Sequence, residues 1–208
     1  GGGPSVTGNT ELWNGTSWTE DGDLSTARYL LAGAGTSTVG LAFGGGAPPI
    51  VAVTEEFAGA GANVGAWSSG GSMNTTRAQG ASNGPQTAAL VYGGDTVNTE
   101  SYDGTSWTEV ANLNTQRRIM GGAGADNTSA LSISGMVPGV TTAVELWNGS
   151  GWTEVGDVNT ARYGLIGAGT ATSALGVAGG VPGSAIDNNE IWNGTSWTEG
   201  ADANTART

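Results

Sequence analysis

The chain has 208 residues, of which 39 are glycine, and it contains no cysteine, histidine or lysine. Its six basic residues are all arginine and are outnumbered by 18 acidic residues, so the net charge is −12 and no basic patch for nucleic acid or an anionic membrane can form. This composition also excludes disulfides, thiol chemistry and a histidine general base, and no apolar run is long enough for a transmembrane helix.

A strand-like motif returns every 44 or 45 residues along the chain. It reads Glu-x-aromatic, then a polar turn, then a tryptophan. The copies begin at Glu11, Glu55, Glu100, Glu145 and Glu190. A self-similar period of about 40–50 residues, built from short strands with glycine and tryptophan landmarks, is typical of propeller blades. We therefore predict an all-β chain that folds as a single domain over residues 1–208.

Each repeat is predicted to form four successive strands. The first follows an Asn/Ser-Thr-x-Arg motif and alternates small residues, as in residues 29–36, so we place it innermost, where backbones approach closely. The second is an apolar run that ends in glycines, as in residues 41–46, and we expect it to be buried on both faces. The third and fourth form the Glu-x-aromatic hairpin. No helical periodicity appears, so we expect no α-helix.

The hairpin allows two registers. An Asn-Gly or Asp-Gly pair, as at Asn14, is the preferred turn of a two-residue loop, which pairs Glu11 with Trp18. A four-residue loop instead pairs Trp13 with Trp18 and sets Glu11 opposite Glu20. Because like charges directly opposite each other are unfavourable, we predict the first register. In both registers the two tryptophans share one face and form an apolar plate that packs on the neighbouring blade.

The regular recurrence of tryptophan and arginine favours a structural role, because scaffolds repeat whereas binding sites usually break symmetry. We expect one arginine in each blade to pair with a glutamate or with loop carbonyls. The residues assigned to this structural repeat are Trp13, Trp18, Trp107, Trp147, Trp152, Trp192, Trp197, Arg28, Arg77, Arg117, Arg162 and Arg207.

The second copy of the hairpin is irregular and supplies most of the candidate binding residues. Its third strand ends at Gly59, and a loop rich in glycine and alanine leads to Trp67. Variable loops on one face of a repeat scaffold commonly carry binding, so we expect residues 46–53 and 59–67 to be presented to a partner. Trp67 is the aromatic residue that we expect to be exposed. Asn63 and Arg118, the one arginine outside the repeat frame, complete the candidate ligand site.

These landmarks resemble the kelch repeat. The residues that carry the resemblance are Gly93 and Gly94, Tyr102 and Asp103, Trp107, and the motif at 114–117. The resemblance covers the whole chain and implies a β-propeller of about five blades of four antiparallel strands, one of them incomplete in this chain or part of a longer polypeptide. These repeats are leaner than many kelch blades. In their lysine-free style they are similar to repeats of viral tail, virion and bacterial surface proteins.

Several enzymatic and metal sites are weighed against this interpretation. Residues 103–107 resemble an Asp-box, which is itself a structural turn. A glycosidase needs two carboxylates with distinct roles, and none stands out by its sequence context. Residues 20–23 gather three carboxylates around a glycine and suit Ca²⁺ in principle, but other repeats keep a single acid there, so we favour a solvated loop. A copper site of the galactose-oxidase type is excluded because it requires histidine and cysteine.

The sequence therefore predicts a non-enzymatic structural and binding module, extracellular or virion-associated, without a cofactor or metal. Its expected partner is a protein or a glycan, and not nucleic acid or a membrane interior. Open strand edges allow homo-oligomers or assembly with another chain. Two alternatives remain open: a lectin-like receptor-binding domain of a viral tail or surface adhesin, and a glycoside-acting enzyme.

Overall fold

A computed structural model describes residues 6–46, 49–59 and 65–208, and in these residues all regular structure is β-strand, as predicted. None of the described residues forms a helix that is long and apolar enough to span a membrane. The strands are β1 (Thr10–Trp13), β2 (Trp18–Asp21), β3 (Ala32–Gly35), β4 (Val39–Phe43), β5 (Thr54–Ala58), β6 (Ala66–Ser69), β7 (Ala81–Asn83), β8 (Ala89–Tyr92), β9 (Thr99–Tyr102), β10 (Trp107–Val110), β11 (Gly121–Asp126), β12 (Ser129–Ile133), β13 (Met136–Val137), β14 (Gly139–Val140), β15 (Val144–Trp147), β16 (Trp152–Val155), β17 (Ile166–Thr170), β18 (Ser173–Val181), β19 (Ser184–Trp192) and β20 (Trp197–Glu199).

The strands form four antiparallel sheets of four strands each, in chain order. We call them sheet I (β3–β6), sheet II (β7–β10), sheet III (β11, β12, β15 and β16) and sheet IV (β17–β20). A short hairpin, β13–β14, with two residues in each strand, is inserted between the second and third strands of sheet III. The N-terminal hairpin, β1–β2, has the sequence of a third and a fourth strand and forms a sheet of its own.

The predicted hairpin register is wrong. The structure pairs Trp13 with Trp18 and Glu11 with Glu20, and the hairpins of sheets II, III and IV have the same register. The side chain of Asn14 is the reason: its Oδ1 accepts hydrogen bonds from the backbone of Thr16 and Ser17, both at 2.9 Å, which stabilises a four-residue loop.

Two further contacts offset the opposed carboxylates in this register. In each hairpin that carries two tryptophans, the centroids of the two rings lie about 5.5 Å apart and the rings interact directly. In sheet II, Glu100 pairs with an arginine, and Glu109 opposite it accepts a hydrogen bond from Asn98 Nδ2 at 3.0 Å. The charge on the third strand is therefore neutralised locally.

The first strands lie side by side, and their small residues permit this approach. Strand β3 neighbours β7, β7 neighbours β11, and β11 neighbours β17. Ser82 of β7 donates a hydrogen bond to the carbonyl oxygen of Gly33 in β3 at 2.9 Å. A Cβ atom on Gly167 would overlap the backbone of Gly122, so this contact requires glycine. Together these four strands line a central cavity of about 500 Å³.

Between consecutive sheets the core is built from second strands and tryptophans. All four residues of β8 are buried, in agreement with the prediction, but the second strand of sheet IV departs from it, because Leu175 of β18 is exposed. Trp107 of sheet II packs on Phe43 of sheet I, with ring centroids 4.9 Å apart, and its Nε1 donates to Thr54 Oγ1 at 2.9 Å. Sheet III repeats the contact on sheet II: Trp152 lies 4.8 Å from Tyr92 and donates to Thr99 Oγ1 at 3.0 Å. We call this contact the Trp junction.

Candidate functional site

Four buried Arg–Glu ion pairs stabilise the sheets beside which the candidate sites lie. In sheet II, Arg77 Nη2 donates to Glu100 Oε1 at 2.5 Å, and Arg77 Nη1 donates to the carbonyl oxygens of Gly93 and Asn98. The other pairs have distances of 2.9, 2.6 and 2.9 Å: Arg28–Glu55, Arg117–Glu145 and Arg162–Glu190. Burial lowers the pKa of these arginines, while the paired glutamate opposes the shift.

Other residues of the Asn/Ser-Thr-x-Arg motif also donate hydrogen bonds to the glutamate of the ion pair. Glu190 accepts hydrogen bonds from the backbone and side chain of Asn159, the backbone of Thr160 and the guanidinium of Arg162. A buried carboxylate that accepts four hydrogen bonds is fully satisfied. The motif thus ties the loop before a first strand to the third strand of the same sheet. Arg207 is exposed and forms no ion pair with the residues that the structure describes.

A groove of about 380 Å³ lies between the N-terminal hairpin and sheet I, and we call it the Trp67 groove. Phe57 and Trp67 form its apolar wall, with ring centroids 5.2 Å apart. Small residues of β3 and β4 and the loop between them form the floor, and Thr10, Glu11 and Leu12 of β1 form the opposite side. A concave, mainly apolar surface with a few polar groups is the usual form of a ligand site.

Hydrogen bonds fix the position of the hairpin beside the groove. Trp67 Nε1 donates to Thr10 Oγ1 at 3.1 Å, which repeats the polar contact of the Trp junction. Asp21 accepts a hydrogen bond from its neighbour Gly22 at 2.8 Å and another from the backbone of Gly65. Since both strands of the hairpin are tied to sheet I, the wall and the opposite side of the groove are held at a fixed separation.

The strand that borders the groove has one open edge. Within the described part of the chain, β1 pairs only with β2, whereas the equivalent strands β5, β9, β15 and β19 each pair on both sides. An unpaired edge presents backbone donors and acceptors in a row and accepts a further strand readily. The Trp67 groove therefore combines an apolar wall with an open line of backbone hydrogen-bonding groups.

The exposure of the tryptophans differs from the prediction. Trp67 is half-buried, because it packs on Phe57 and bonds Thr10. Instead, Trp13 and Trp18 of the N-terminal hairpin are the exposed pair, at 46% and 62%. The apolar outer face of sheet IV is exposed as well, at Ile166, Leu175 and Ile191. They correspond to the two halves of a Trp junction, and neither half has a partner in the described part of the chain.

Of the other two candidate residues, Arg118 does not lie near Trp67. Arg118 lies in a separate pocket of about 300 Å³ with Met136 and Pro138, where it pairs at 3.1 Å with Asp95, and both side chains are exposed. Asn63 lies outside the described residues, as do residues 47–48 and 60–64 of the two predicted binding loops. The structure thus does not bring Trp67 and Arg118 together.

The acidic loop at residues 20–23 and the central cavity present fewer groups that could bind a ligand or a metal than the Trp67 groove does. Asp21 accepts the hydrogen bonds already described, and Asp23 accepts one from the backbone of Thr10 at 3.2 Å. Among the residues described, no three acidic side chains converge on a point where they would hold a metal ion. The central cavity is lined by small, mainly uncharged residues of the first strands.

Sequence reasoning missed Thr10, Glu11 and Phe57 as groove residues and missed the exposure of the first Trp pair. One signal pointed to both. Among the described residues no strand precedes the first hairpin, whereas two strands cover the equivalent hairpin in every other repeat. A hairpin without these neighbours has an open edge and an open face.

A scan against protein-family models gives no match, and a search of curated proteins also gives none. The kelch resemblance therefore stays a prediction from the repeat landmarks.

Proposed function

We propose that this chain is a non-enzymatic structural and binding module, extracellular or virion-associated, arranged as a kelch-like propeller of about five blades. Four repeated sheets with their first strands around one cavity support the arrangement. The observation that carries the binding function is the Trp67 groove, a concave apolar site with fixed walls. Its expected partner is a protein or a glycan.

The groove chemistry suits both kinds of partner. An indole ring beside a benzyl ring offers a flat apolar surface for a sugar face or for an apolar side chain. Glu11 and Asp21 add acceptors near the groove, so a neutral or basic partner is favoured over an acidic one. The lectin-like alternative uses the same residues and differs only in the ligand.

Ligand screening with matched tryptophan variants tests the proposal. We expect binding to a glycan array or to immobilised candidate proteins that Trp67→Ala weakens about tenfold or more, because an aromatic anchor is lost. Trp18→Ala is the control, since Trp18 is more exposed and does not line the groove. A ligand that binds both variants equally well would place the binding surface elsewhere and contradict the proposal.

Self-assembly is the second candidate function, and the exposed halves of the Trp junction favour it. In three junctions a tryptophan of one sheet or hairpin packs against the second or third strand of the preceding one. Trp18 and the outer face of sheet IV have no such partner among the described residues. At the position of Thr54 and Thr99, sheet IV carries Asn189, whose Oδ1 accepts no hydrogen bond from the residues that the structure describes.

Sedimentation velocity separates this candidate from the first. A head-to-tail contact between two copies would join Trp13 and Trp18 of one copy to Leu175 and Ile191 of the other. We expect oligomers of the natural chain that Leu175→Asp converts to monomers. A chain that stays monomeric at about 100 μM would rule out assembly as its function, since that limits the affinity to weaker than about −5 kcal/mol.

A further inference from the structure

We infer that three exposed Asn-Gly turns of this chain are sites of spontaneous deamidation, and that each turn accelerates the reaction with its own hydrogen-bond donors. The turns are Asn14-Gly15, Asn148-Gly149 and Asn193-Gly194, each at the tip of a hairpin that carries two tryptophans. The reactants are the asparagine side chain, the backbone nitrogen of the glycine that follows it, and water. The product carries a carboxylate in place of the amide, so each modified turn gains one negative charge.

The reaction takes place within each asparagine–glycine pair. The glycine nitrogen forms a bond to Cγ of the asparagine and gives up its proton, which places a negative charge on Oδ1. The bond from Cγ to Nδ2 then breaks, and Nδ2 leaves with this proton as ammonia. Water opens the resulting cyclic imide at one of its two carbonyl carbons and gives aspartate or isoaspartate. Glycine favours ring closure because it has no Cβ beside the attacking nitrogen.

The turns hold hydrogen-bond donors at the oxygen on which this charge develops. Asn14 Oδ1 accepts hydrogen bonds from the backbone N–H groups of Thr16 and Ser17, both at 2.9 Å. The turn at Asn193 has the same two contacts at the same distance. Donors that are already in place beside a developing oxyanion lower the barrier to its formation, because they bind the charged oxygen more strongly than the neutral one.

Asn148 has one donor more than the other two asparagines. Its Oδ1 accepts hydrogen bonds from the backbone of Ser150 and Gly151, both at 3.0 Å, and from Ser150 Oγ at 2.8 Å. Thr16 holds the position of Ser150 in the first hairpin, and in the described part of the chain it donates to Asn14 through its backbone N–H alone. We therefore expect Asn148 to react first of the three.

Sheet II shows that the turn accepts a charged oxygen at this position. It carries Asp103 in place of the asparagine, and the backbone N–H groups of Ser106 and Thr105 donate to Asp103 Oδ1 at 2.8 and 2.9 Å. These two hydrogen bonds, first that of Ser106, lower the pKa of the Asp103 carboxyl group below its ordinary value. The donors of the turn therefore stabilise a negative oxygen, and an aspartate product fits the loop.

A fourth Asn-Gly pair, Asn83-Gly84, provides a contrast within the same chain. Asn83 is only 8% exposed, and its Nδ2 donates to the carbonyl oxygen of Asp126 at 2.6 Å. Its Oδ1 accepts no hydrogen bond from the residues that the structure describes. A charge that develops on this oxygen would be buried without a donor, which is costly. We therefore expect this pair to stay unmodified.

Peptide mapping by mass spectrometry, after incubation of the folded chain at mildly alkaline pH, tests the inference. We expect the mass change from amide to acid at the three turns, first at Asn148, and none at Asn83. The same incubation in denaturant is the reference, because every Asn-Gly pair is then equally open to solvent and the donors of the turns are lost. If the folded turns stay intact while the denatured chain is modified, the turn protects its asparagine and the inference is overturned.

Two matched variants isolate the contribution of a single donor. Ser150→Ala removes one of the three donors at Asn148, and we expect it to slow the modification of Asn148 about tenfold in the folded chain and not at all in denaturant. Thr16→Ala is the control and should leave the rate at Asn14 unchanged, since only the backbone N–H of residue 16 is used there. Both positions are exposed, so the fold should tolerate either change. An unchanged rate in folded Ser150→Ala, or modification of Asn83 as fast as that of the turns, would contradict the inference.

Discussion

The same pentapeptide, Glu-Leu-Trp-Asn-Gly, occurs in the N-terminal hairpin and in sheet III, and the two copies have opposite surroundings. Trp147 is 2% exposed, whereas Trp13 is 46% exposed. Both hairpins have the same register and the same ring separation of 5.5 Å. The difference lies in the neighbours: sheet III has a second strand beside its hairpin and sheet II beneath it.

This comparison separates what a hairpin contributes by itself from what it gains by stacking. The local loop and the Trp pair form in both places, so they do not depend on packing. The buried ion pair and the Trp junction require a neighbouring strand or sheet. Substitutions at matched positions of the two regions should therefore change the free energy of unfolding by the most different amounts where the residue takes part in one of these two contacts.

The largest difference is expected between Trp152→Ala and Trp18→Ala. Trp152 is buried on Tyr92, so its loss should lower the free energy of unfolding by about 4 kcal/mol through lost burial and a cavity. Trp18 is 62% exposed and should cost less than about 1 kcal/mol. Denaturant unfolding of both variants measures the difference. Equal losses would mean that the N-terminal hairpin is as well packed in solution as sheet III.

A smaller contrast is expected between Arg162→Ala and Arg207→Ala. Arg162 is fully buried, and its removal leaves Glu190 charged and without its ion-pair partner, which should cost about 3 kcal/mol. Arg207 is exposed and should change the melting temperature little. Thermal unfolding gives both values, and ligand affinity should not change with Arg162→Ala. Lost binding with an unchanged melting temperature would sink the structural role of this arginine.

Val144→Thr should sharpen the comparison, because it adds a hydrogen bond to a Trp junction that already has both of its sides. Val144 holds the position of Thr54 and Thr99, and the buried Nε1 of Trp197 above it has no hydrogen-bond partner in the described structure. A threonine hydroxyl there would accept this hydrogen bond and should stabilise the fold by about 1 kcal/mol. The reverse change, Thr99→Val, should cost a similar amount. A loss of stability on Val144→Thr would show that the hydroxyl does not reach Trp197.

The smallest effect is expected at the turn, where the two regions are alike. Asp103 holds the position of Asn14, and hydrogen bonds from the backbone of Ser106 and Thr105 lower the pKa of its carboxyl group below 3.8. A carboxyl with a lowered pKa stabilises the fold above its unfolded pKa, and this contribution is lost as the pH falls through the folded value.

Asp103→Asn should therefore leave the melting temperature nearly unchanged at neutral pH and remove a small loss of stability below about pH 4, because asparagine makes the same loop contacts without titrating. Melting curves of both proteins between pH 2 and 7 check this. A variant that becomes more sensitive to acid than the natural chain would contradict the assigned cause of the pKa shift.

Much of the fold was predictable because the repeat is explicit in the sequence. Periodic glycines predicted the close approach of first strands, and apolar runs predicted the buried second strands. The recurrence of the arginines predicted a partner, which the structure identifies as the glutamate of the hairpin. The hairpin register was not predictable from charge alone, because the side-chain bonds of Asn14 and the tryptophan contact outweigh two opposed carboxylates.

The candidate site shows where prediction from sequence stops. Trp67 was singled out because its loop is irregular, and it does line a groove, but Arg118 lies elsewhere. Phe57 and Thr10 belong to the groove although both occupy ordinary repeat positions. Their role comes from what is missing beside them in the described structure.

By itself, the sequence determined the strands, their order within each sheet and the residues that recur, since these follow from local periodicity and turn chemistry. Only the tertiary structure decided which copies of the repeat are buried and which are open. The reason is that burial is a property of neighbours: Trp13 and Trp147 lie in the same pentapeptide, and within the described structure only Trp147 has a sheet against its ring.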